Sequence, residues 1–421
     1  KEQAKQLREE RRPSPFRDTP PADNLREFQL MTDGFYAEGA AVLRAKIDFA
    51  HANPTLRDPP IYRIRYAPHP HVGDRWCVYP LYDFVHSLCD SFEDITHSLC
   101  TLEFESRREL YYWSLNELDL FRPFVWEYSR LNITYNVVSK RRLLRLVQDG
   151  LVAGWDDPRL LTLAGLRRRG YPPEAINEFC DQISVTRRGN ENVMDYAFLE
   201  LVVRDYLYEH CPRAFAVAEP VEVELLNVEA PRPLEAPELA MPLALERHVL
   251  LDAKDVRAED CKGFYGLAPG KVVRLRYGPF IRAESMREEG GKVRVTARVL
   301  ADAEVPSPKQ VKGVLHWLPR DGAQRATLRL FDRLFTAPEP GLRTGNFLDD
   351  VNPASLVLRE EAAVSAAWAR GLRVGDRFQF ERLGFFAVDD LSDPAAGRLV
   401  FNRIVGLREK EKAKVLGAAA L

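Results

Sequence analysis

No Cys-x-x-Cys pair occurs in the chain, and its six cysteines are spread over 421 residues. That excludes a disulfide-framed scaffold and reads as reduced cytosolic thiols. No apolar run approaches the roughly 18 residues that a membrane-spanning helix needs. No secretory signal opens the chain, which begins with the polar Lys1-Glu2-Gln3. The first residue is not methionine, so an upstream portion is expected. No solenoid repeat and no long low-complexity tract is visible. No excess of one charge exists either: the formal net charge is −2. A nucleic-acid partner therefore has to be argued from local basic patches. No convincing Ser/His/Asp set and no paired-carboxylate set is visible. What is present, 46% hydrophobic and 29% charged residues, fits a globular protein of two to four domains with ample core.

In chain order, residues 1–12 form a charged, helix-prone start. Asp23 suits the cap of a helix carrying Leu25, Phe28, Leu30 and Met31. Period-two alternation over residues 39–49 predicts a half-buried strand, and residues 61–66 alternate again. Arg63 and Arg65 on the open side of that strand suit phosphate, or simply solubility. Residues 76–82 read as a strand and residues 83–93 as a helix with Phe84, Leu88 and Phe92 on one side. His86-x-x-Cys89 and His97-x-x-Cys100 have the spacing of structural zinc ligands. A small cysteine on the buried face of that helix needs no metal. A helix with Leu110, Trp113, Leu115 and Leu118 follows, then a short buried strand over residues 124–128 that delivers Arg130. Open parallel sheets bind ligands at the carboxyl ends of their strands, which suits Arg130 to a nucleotide; a structural salt bridge is the other reading.

Val137-Val138-Ser139-Lys140-Arg141 joins a strand-like stretch to a helix-like one. A hydroxyl followed by cations suits a phosphate chain: hydroxyl and backbone N–H groups bond its oxygens and the ammonium sits on its charge. Further on, Trp155 to Arg159 reads as a capped helix start with Pro158 in the first turn. Arg167, Arg168 and Arg169 close the next helix, either complementing its dipole or touching an RNA backbone. Helices follow from Pro173 and over residues 192–208. Beyond Cys211 alternation takes over at residues 221–225, 272–276, 293–299, 313–318, 326–335, 378–388 and 399–405, split by Gly and Pro, as in antiparallel barrels.

Residues 126–142 (WEYSRLNITYNVVSKRR) resemble the region around the KMSKS-type loop of class I aminoacyl-tRNA synthetases. With residues 79–104 (YPLYDFVHSLCDSFEDITHSLCTLEF) and 155–180 (WDDPRLLTLAGLRRRGYPPEAINEFC), the chain resembles the glutaminyl-tRNA synthetase family from about Ser14 to about Leu407. The resemblance implies a multidomain α/β plus β protein. Residues 1–78 would be an acceptor-end-binding insert and 79–131 the second half of a Rossmann-type catalytic domain. Residues 132–210 would be a helical connector with the loop, and 211–407 two antiparallel β-barrels reading the anticodon. The distal barrel, about 250–320, would be inserted in the proximal one, and 408–421 would be a tail or linker. It implies ATP-dependent ligation of glutamine to glutamine tRNA through an adenylate, by a cytoplasmic monomer, with Mg²⁺ as counter-ion of ATP and no structural metal.

The same resemblance assigns residues. Ser139 and Lys140 are the phosphate-binding pair, and Val138 stands where methionine is common. Thr101, Arg130, Leu131 and Val138 fall where ATP is held, beside that pair. Tyr82, His86 and Cys100 fall at the glutamine side chain. Arg213, Arg276, Gln379 and Arg382 fall at the anticodon. Val125 replaces a common glutamine, and Ser106 an acidic residue near the acceptor stem. Tyr265 and Gly266 replace lysine and arginine, so Lys262 or Arg274 is expected to remake a base contact. No HIGH-type motif and no first βαβ unit is found, so residues 1–421 alone are expected not to activate glutamine. A glutamyl-tRNA synthetase would need a cation where the neutral Cys100 stands. A silent tRNA-binding protein would not need Ser139, Lys140 and Arg130.

Overall fold

The computed structural model describes residues 2–289, 292–305 and 311–407. They fall into two units: one holds the described residues up to Leu131 together with Val185–Asn192, the other holds the rest.

In the first unit, β1 (Val42–Arg44), β2 (Pro60–Ile64) and β3 (Val78–Pro80) form an antiparallel sheet in that order. The strand expected over residues 39–49 is thus only three residues long. Past Arg44 the chain is held by side chains instead: the Asp58 carboxylate accepts the Ile47 N–H at 2.8 Å and the Arg17 guanidinium at 2.7 Å. The Tyr62 ring of β2 packs edge-on against Phe28 and Phe84. Phe28 lies on α1 (Pro21–Thr32), whose cap position is Pro20; Asp23 sits in the first turn rather than capping it.

A βαβ segment follows. α2 (Tyr82–Phe92) leads to β4 (His97–Thr101), then α3 (Arg108–Glu117) to β5 (Phe124–Tyr128). β4 and β5 pair in parallel from His97 opposite Phe124 to Thr101 opposite Tyr128. Tyr111, Leu115 and Val125 form the local core, with Leu88, Tyr112 and Leu120 against it. The expected apolar faces are partly inverted. Phe92, Leu118 and Phe124 are exposed, and so is Cys89, while α2 buries Ser87 and Ser91. Ser87 tolerates burial because its hydroxyl donates to the Phe84 carbonyl at 3.1 Å. Residues Val185–Asn192 lie along the end of β5: Thr186 O accepts the Ser129 N–H and Asn190 O the Arg130 N–H.

The second unit opens with helices. α4 (Lys140–Gln148) drives Leu143 and Leu146 into a core with Val137, Val152, Leu160, Leu334 and Phe335. No helix starts at Pro158. Asp157 is buried, and its carboxylate accepts the Ala153 N–H and the Arg159 guanidinium, which ties residues 153–159 into an irregular loop. α5 (Leu163–Arg169) is capped by Thr162 and closed by Gly170 at φ +103°. A Cβ at Gly170 would lie 2.4 Å from the Ala387 Cβ, so only glycine fits. α6 (Pro173–Ile183) follows as expected. α7 (Tyr196–His210) begins later than expected, because Asp195 caps it and Glu191–Met194 is extended.

Two seven-stranded sheets dominate the remainder, with a small antiparallel pair of Arg232–Leu234 and Leu243–Leu245 beside them in the chain. Both are mixed rather than purely antiparallel. Pro220–Leu225 runs parallel to Lys292–Val299, and Ala323–Phe331 parallel to Val400–Val405. The sheet holding Val272–Leu275 also takes Pro220–Leu225 and His248–Asp252, so its strands begin at Pro220, well before residue 250. One apolar core, including Phe215, Leu251, Trp317 and Phe380, serves both sheets.

Candidate substrate sites

Three sites emerge, each inside one unit. The first is the start of α4. Val137 is buried and anchors the loop, while Val138 is 40% exposed. Ser139 stands at the cap position in an extended conformation (φ −69°, ψ 127°), and its carbonyl accepts the Leu143 N–H at 3.0 Å. Its hydroxyl makes no capping bond, and no acidic residue occupies the first turn. Lys140, Arg141 and Arg142 are exposed. A helix start with free N–H groups and added cations attracts anions. The arrangement fits a polyphosphate.

Thr101, Arg130 and Leu131 lie in the first unit. Thr101 ends β4, and Arg130 lies two residues beyond its strand partner Tyr128. Both therefore stand at the carboxyl ends of the parallel pair, where such ladders bind ligands.

The second site is a small hollow on that pair, lined by Tyr82, His86, Cys100, Tyr111, Val125 and Glu127 and also by Asp83, Phe104, Arg107 and Arg108. The three residues assigned to the amino-acid side chain are thus brought together. Tyr82, the first residue of α2, stacks on His86 at 5.3 Å. Asp90 organises the inner wall. It accepts the Ser98 hydroxyl at 2.5 Å and the Tyr111 hydroxyl at 3.1 Å, and His86 Nε2 lies 3.2 Å from it. Burial pushes the Cys100 thiol up, so it is neutral at physiological pH. The hollow is not short of cations, as the neutral Cys100 alone would suggest. Arg107 pairs with Asp83 at 3.1 Å, and Arg108 Nε donates to Glu127 Oε1 at 2.9 Å. Sequence reasoning missed these four residues, because each partner lies a helix or more away in the chain. The two His-x-x-Cys pairs do not converge: His86 and Cys100 face the hollow, Cys89 and His97 are exposed. Among the described residues no group of three or more His, Cys, Asp or Glu could hold a metal ion.

The third site lies on the paired sheets. Arg213 pairs with Glu238 at 2.6 Å, and the Tyr277 hydroxyl links Glu238 (2.9 Å) to Glu381 (3.1 Å). Arg276 Nε reaches Glu381 at 3.0 Å. Gln379 is buried beside Arg213, in register with it on the neighbouring strand. Arg382, in left-handed backbone at φ +65°, grips Asp255 with both terminal nitrogens at 2.5 and 2.7 Å. Its Nη1 is 3.3 Å from His316 Nδ1. Burial, reinforced by the Arg382 guanidinium, pushes His316 down to about 4, so His316 is a neutral acceptor. Arg213 and Arg276 thus share one array through Glu238, Tyr277 and Glu381, with Gln379 beside Arg213, while Arg382 is held apart from it by Asp255; the sequence did not single out these carboxylates.

Arg382 also lines an open hollow of about 380 Å³ with Lys254, Tyr265, Gly266 and Lys312. Lys262 and Arg274, either of which was expected to remake a base contact, do not line this hollow. A Cβ on Gly266 would meet the Asp255 carbonyl oxygen at 2.3 Å, so no side chain fits at that position in this backbone. Arg168 and Arg169 are internal. Arg168 pairs with Asp389 and Asp156, and buried Arg169 donates to the Ile404 carbonyl and the Tyr196 hydroxyl. Of the three arginines only Arg167 is exposed.

Three family profiles match successive stretches of the chain. Residues 1–209 match the family profile "tRNA synthetases class I (E and Q), catalytic domain". Residues 211–300 and 314–389 match the two "tRNA synthetases class I (E and Q), anti-codon binding domain" profiles. The chain is 43% identical to "Glutamine--tRNA ligase" of Lupinus luteus over 97% of its own length and 53% of that protein. It is 42% identical to "Glutamine--tRNA ligase, cytoplasmic" of Arabidopsis thaliana, with the same coverage of each. For "Glutamine--tRNA ligase" of Vibrio campbellii the identity is 43%, over 94% of this chain and 73% of that protein. The chain thus spans about half the length of the two plant relatives.

Proposed function

The chain belongs to the tRNA synthetases class I (E and Q), and from that premise we propose that the protein joins glutamine to glutamine tRNA at the expense of ATP, through a glutaminyl-adenylate. The observation that carries this reading is the start of α4, where an uncapped Ser139 hydroxyl and the exposed Lys140 ammonium flank free helix N–H groups. A protein that only held RNA would have no use for such a polyphosphate cradle. In this class the protein's work is positioning and charge stabilisation, not nucleophilic attack. Ser139 and Lys140 would hold the ATP phosphates, with Val137, Val138 and Arg141 shaping the loop. Thr101, Arg130 and Leu131 would hold the nucleoside. Mg²⁺ would arrive as the counter-ion of ATP. Tyr82, His86 and Cys100 would meet the glutamine side chain, and Arg213, Arg276, Gln379 and Arg382 the anticodon. The six free cysteines support a reducing compartment, in line with a cytoplasmic monomer. No described helix is long and apolar enough to cross a membrane.

The test is charging by the full-length protein with glutamine tRNA, offering glutamine and glutamate separately. Glutamine should be attached, and Lys140→Ala should raise the adenylation barrier by about 2–4 kcal/mol, the usual effect of losing a charge-stabilising donor. Charging of glutamate alone would make the protein the sister enzyme. No charging of either amino acid would leave a silent RNA-binding protein.

A further inference from the structure

We propose that Glu127 determines which amino acid the β4–β5 hollow accepts, by neutralising Arg108. This rests on the reading of that hollow as the amino-acid site. Three observations carry it. The register puts Glu127 directly opposite Cys100 on the parallel pair, and both line the hollow. The Glu127 side chain is fully buried, 0% exposed, on the wall where the substrate side chain would end. Its carboxylate takes the Arg108 guanidinium, with Nε to Oε1 at 2.9 Å, and its other oxygen lies 3.5 Å from Arg187.

Charge in the hollow is therefore matched pair by pair. Arg108 faces Glu127 and Arg107 faces Asp83. An entering carboxylate finds no unpaired cation. To win Arg108 it would have to strip the guanidinium from Glu127 and leave that buried carboxylate with Arg187 alone. Removing one partner of a buried pair is far costlier than leaving both in place. A neutral amide makes no such demand and needs only hydrogen bonds. The neutral Cys100 is then one half of the device. Glu127 is the other half, because it keeps an arginine already present in the wall from acting as a glutamate receptor. Glu127 acts through Arg108 and is a positioning residue, not a catalytic one.

The experiment compares kcat/KM for glutamate with that for glutamine in the full-length protein. Glu127→Gln should release Arg108 and raise the glutamate-to-glutamine ratio by about tenfold or more, since Arg pairs a carboxylate bidentately. Arg108→Gln should move the ratio the other way, because it leaves the Glu127 charge facing the substrate. The double variant E127Q/R108Q should fall back toward the wild-type ratio. A structural lesion would lower both substrates together and leave the ratio still. An unchanged or lower ratio in Glu127→Gln overturns the proposal. Where Glu127→Gln does not fold, a rise in the ratio for Arg108→Gln overturns it. If the wild-type protein charges glutamine and these variants do not shift the ratio, only this inference fails. If the wild-type protein charges neither amino acid, the reading of the site fails with it.

Discussion

Each arginine assigned to base reading is held by a carboxylate: Arg213 by Glu238, Arg276 by Glu381, Arg382 by Asp255. A guanidinium carries more N–H donors than one carboxylate can use. The carboxylate fixes its plane and leaves donors over. Such donors are what direct base readout needs. Arg213→Ala should therefore remove about 1–3 kcal/mol of discrimination at one anticodon base. The measurement is affinity for glutamine tRNA with and without a changed middle anticodon base. Equal weakening of both RNAs would show that Arg213 only touches phosphate. Arg213 and Arg382 were singled out in the sequence because they sit in a recognisable frame around residues 213 and 379–382. Their anchors were not, because Asp255 and Arg382 are 127 residues apart and nothing local marks either as the other's partner.

At the scale of elements, α5 shows where local reading succeeds and where it stops. The three closing arginines do end it, but the capped start read at residues 155–159 forms no helix, and Thr162 caps α5 instead. The three closing arginines suggested a dipole complement or an RNA contact, and two of them are engaged with internal partners. Whether an arginine faces water or a buried carboxylate is decided by what packs on the helix, and here that is the strand region around Asp389 and Ile404. Strand partners were hidden for the same reason. Alternation gives a period but no direction, so the parallel pairings within both sheets were unreadable. Burial raises the Asp389 pKa, but hydrogen bonds from Arg168, the Leu391 N–H and Asn402 outweigh it and hold the carboxyl below its usual 3.8. Asp157 is depressed likewise, against burial, by Arg159 and the Ala153 N–H. A depressed folded-state pKa gives stability that is full above the unfolded value and lost as pH falls through the folded one. Neighbouring Asp390 shifts up, through burial and the Asp389 charge, and offsets part of this. The thermal midpoint should therefore drop as pH is lowered from about 5 to about 3. Asp389→Asn should be less stable at neutral pH and should show a shallower drop. An equally steep drop in that variant would move the acid sensitivity elsewhere.

For the molecule as a whole, a net charge of −2 gives little overall pull on a polyanion. Attraction to RNA must come from cations that are exposed and not already paired, so a count of arginines in the sequence misleads. Arg63, Arg65 and Arg167 are exposed and lie outside the loop assigned to ATP. Arg168 and Arg169 are spent on internal partners. Counter-ion release ties the steepness of salt dependence to the number of phosphates contacted, at about 0.9 per contact for a duplex and about 0.7 for a single strand. Binding of glutamine tRNA should accordingly weaken linearly on a log–log plot against salt despite the near-zero net charge. Replacing an exposed cation that touches phosphate, with Arg63→Gln and Arg167→Gln as the trial pair, should lower the slope by about one contact each. Arg168→Gln should leave the slope as it was and lower the thermal midpoint instead, because it breaks the pair with fully buried Asp389. The titrations belong well below that variant's midpoint, so that unfolding does not enter. A fall in slope for Arg168→Gln equal to that for Arg63→Gln would mean that Arg168 leaves Asp389 to meet the RNA, and the buried network would then be part of the binding surface.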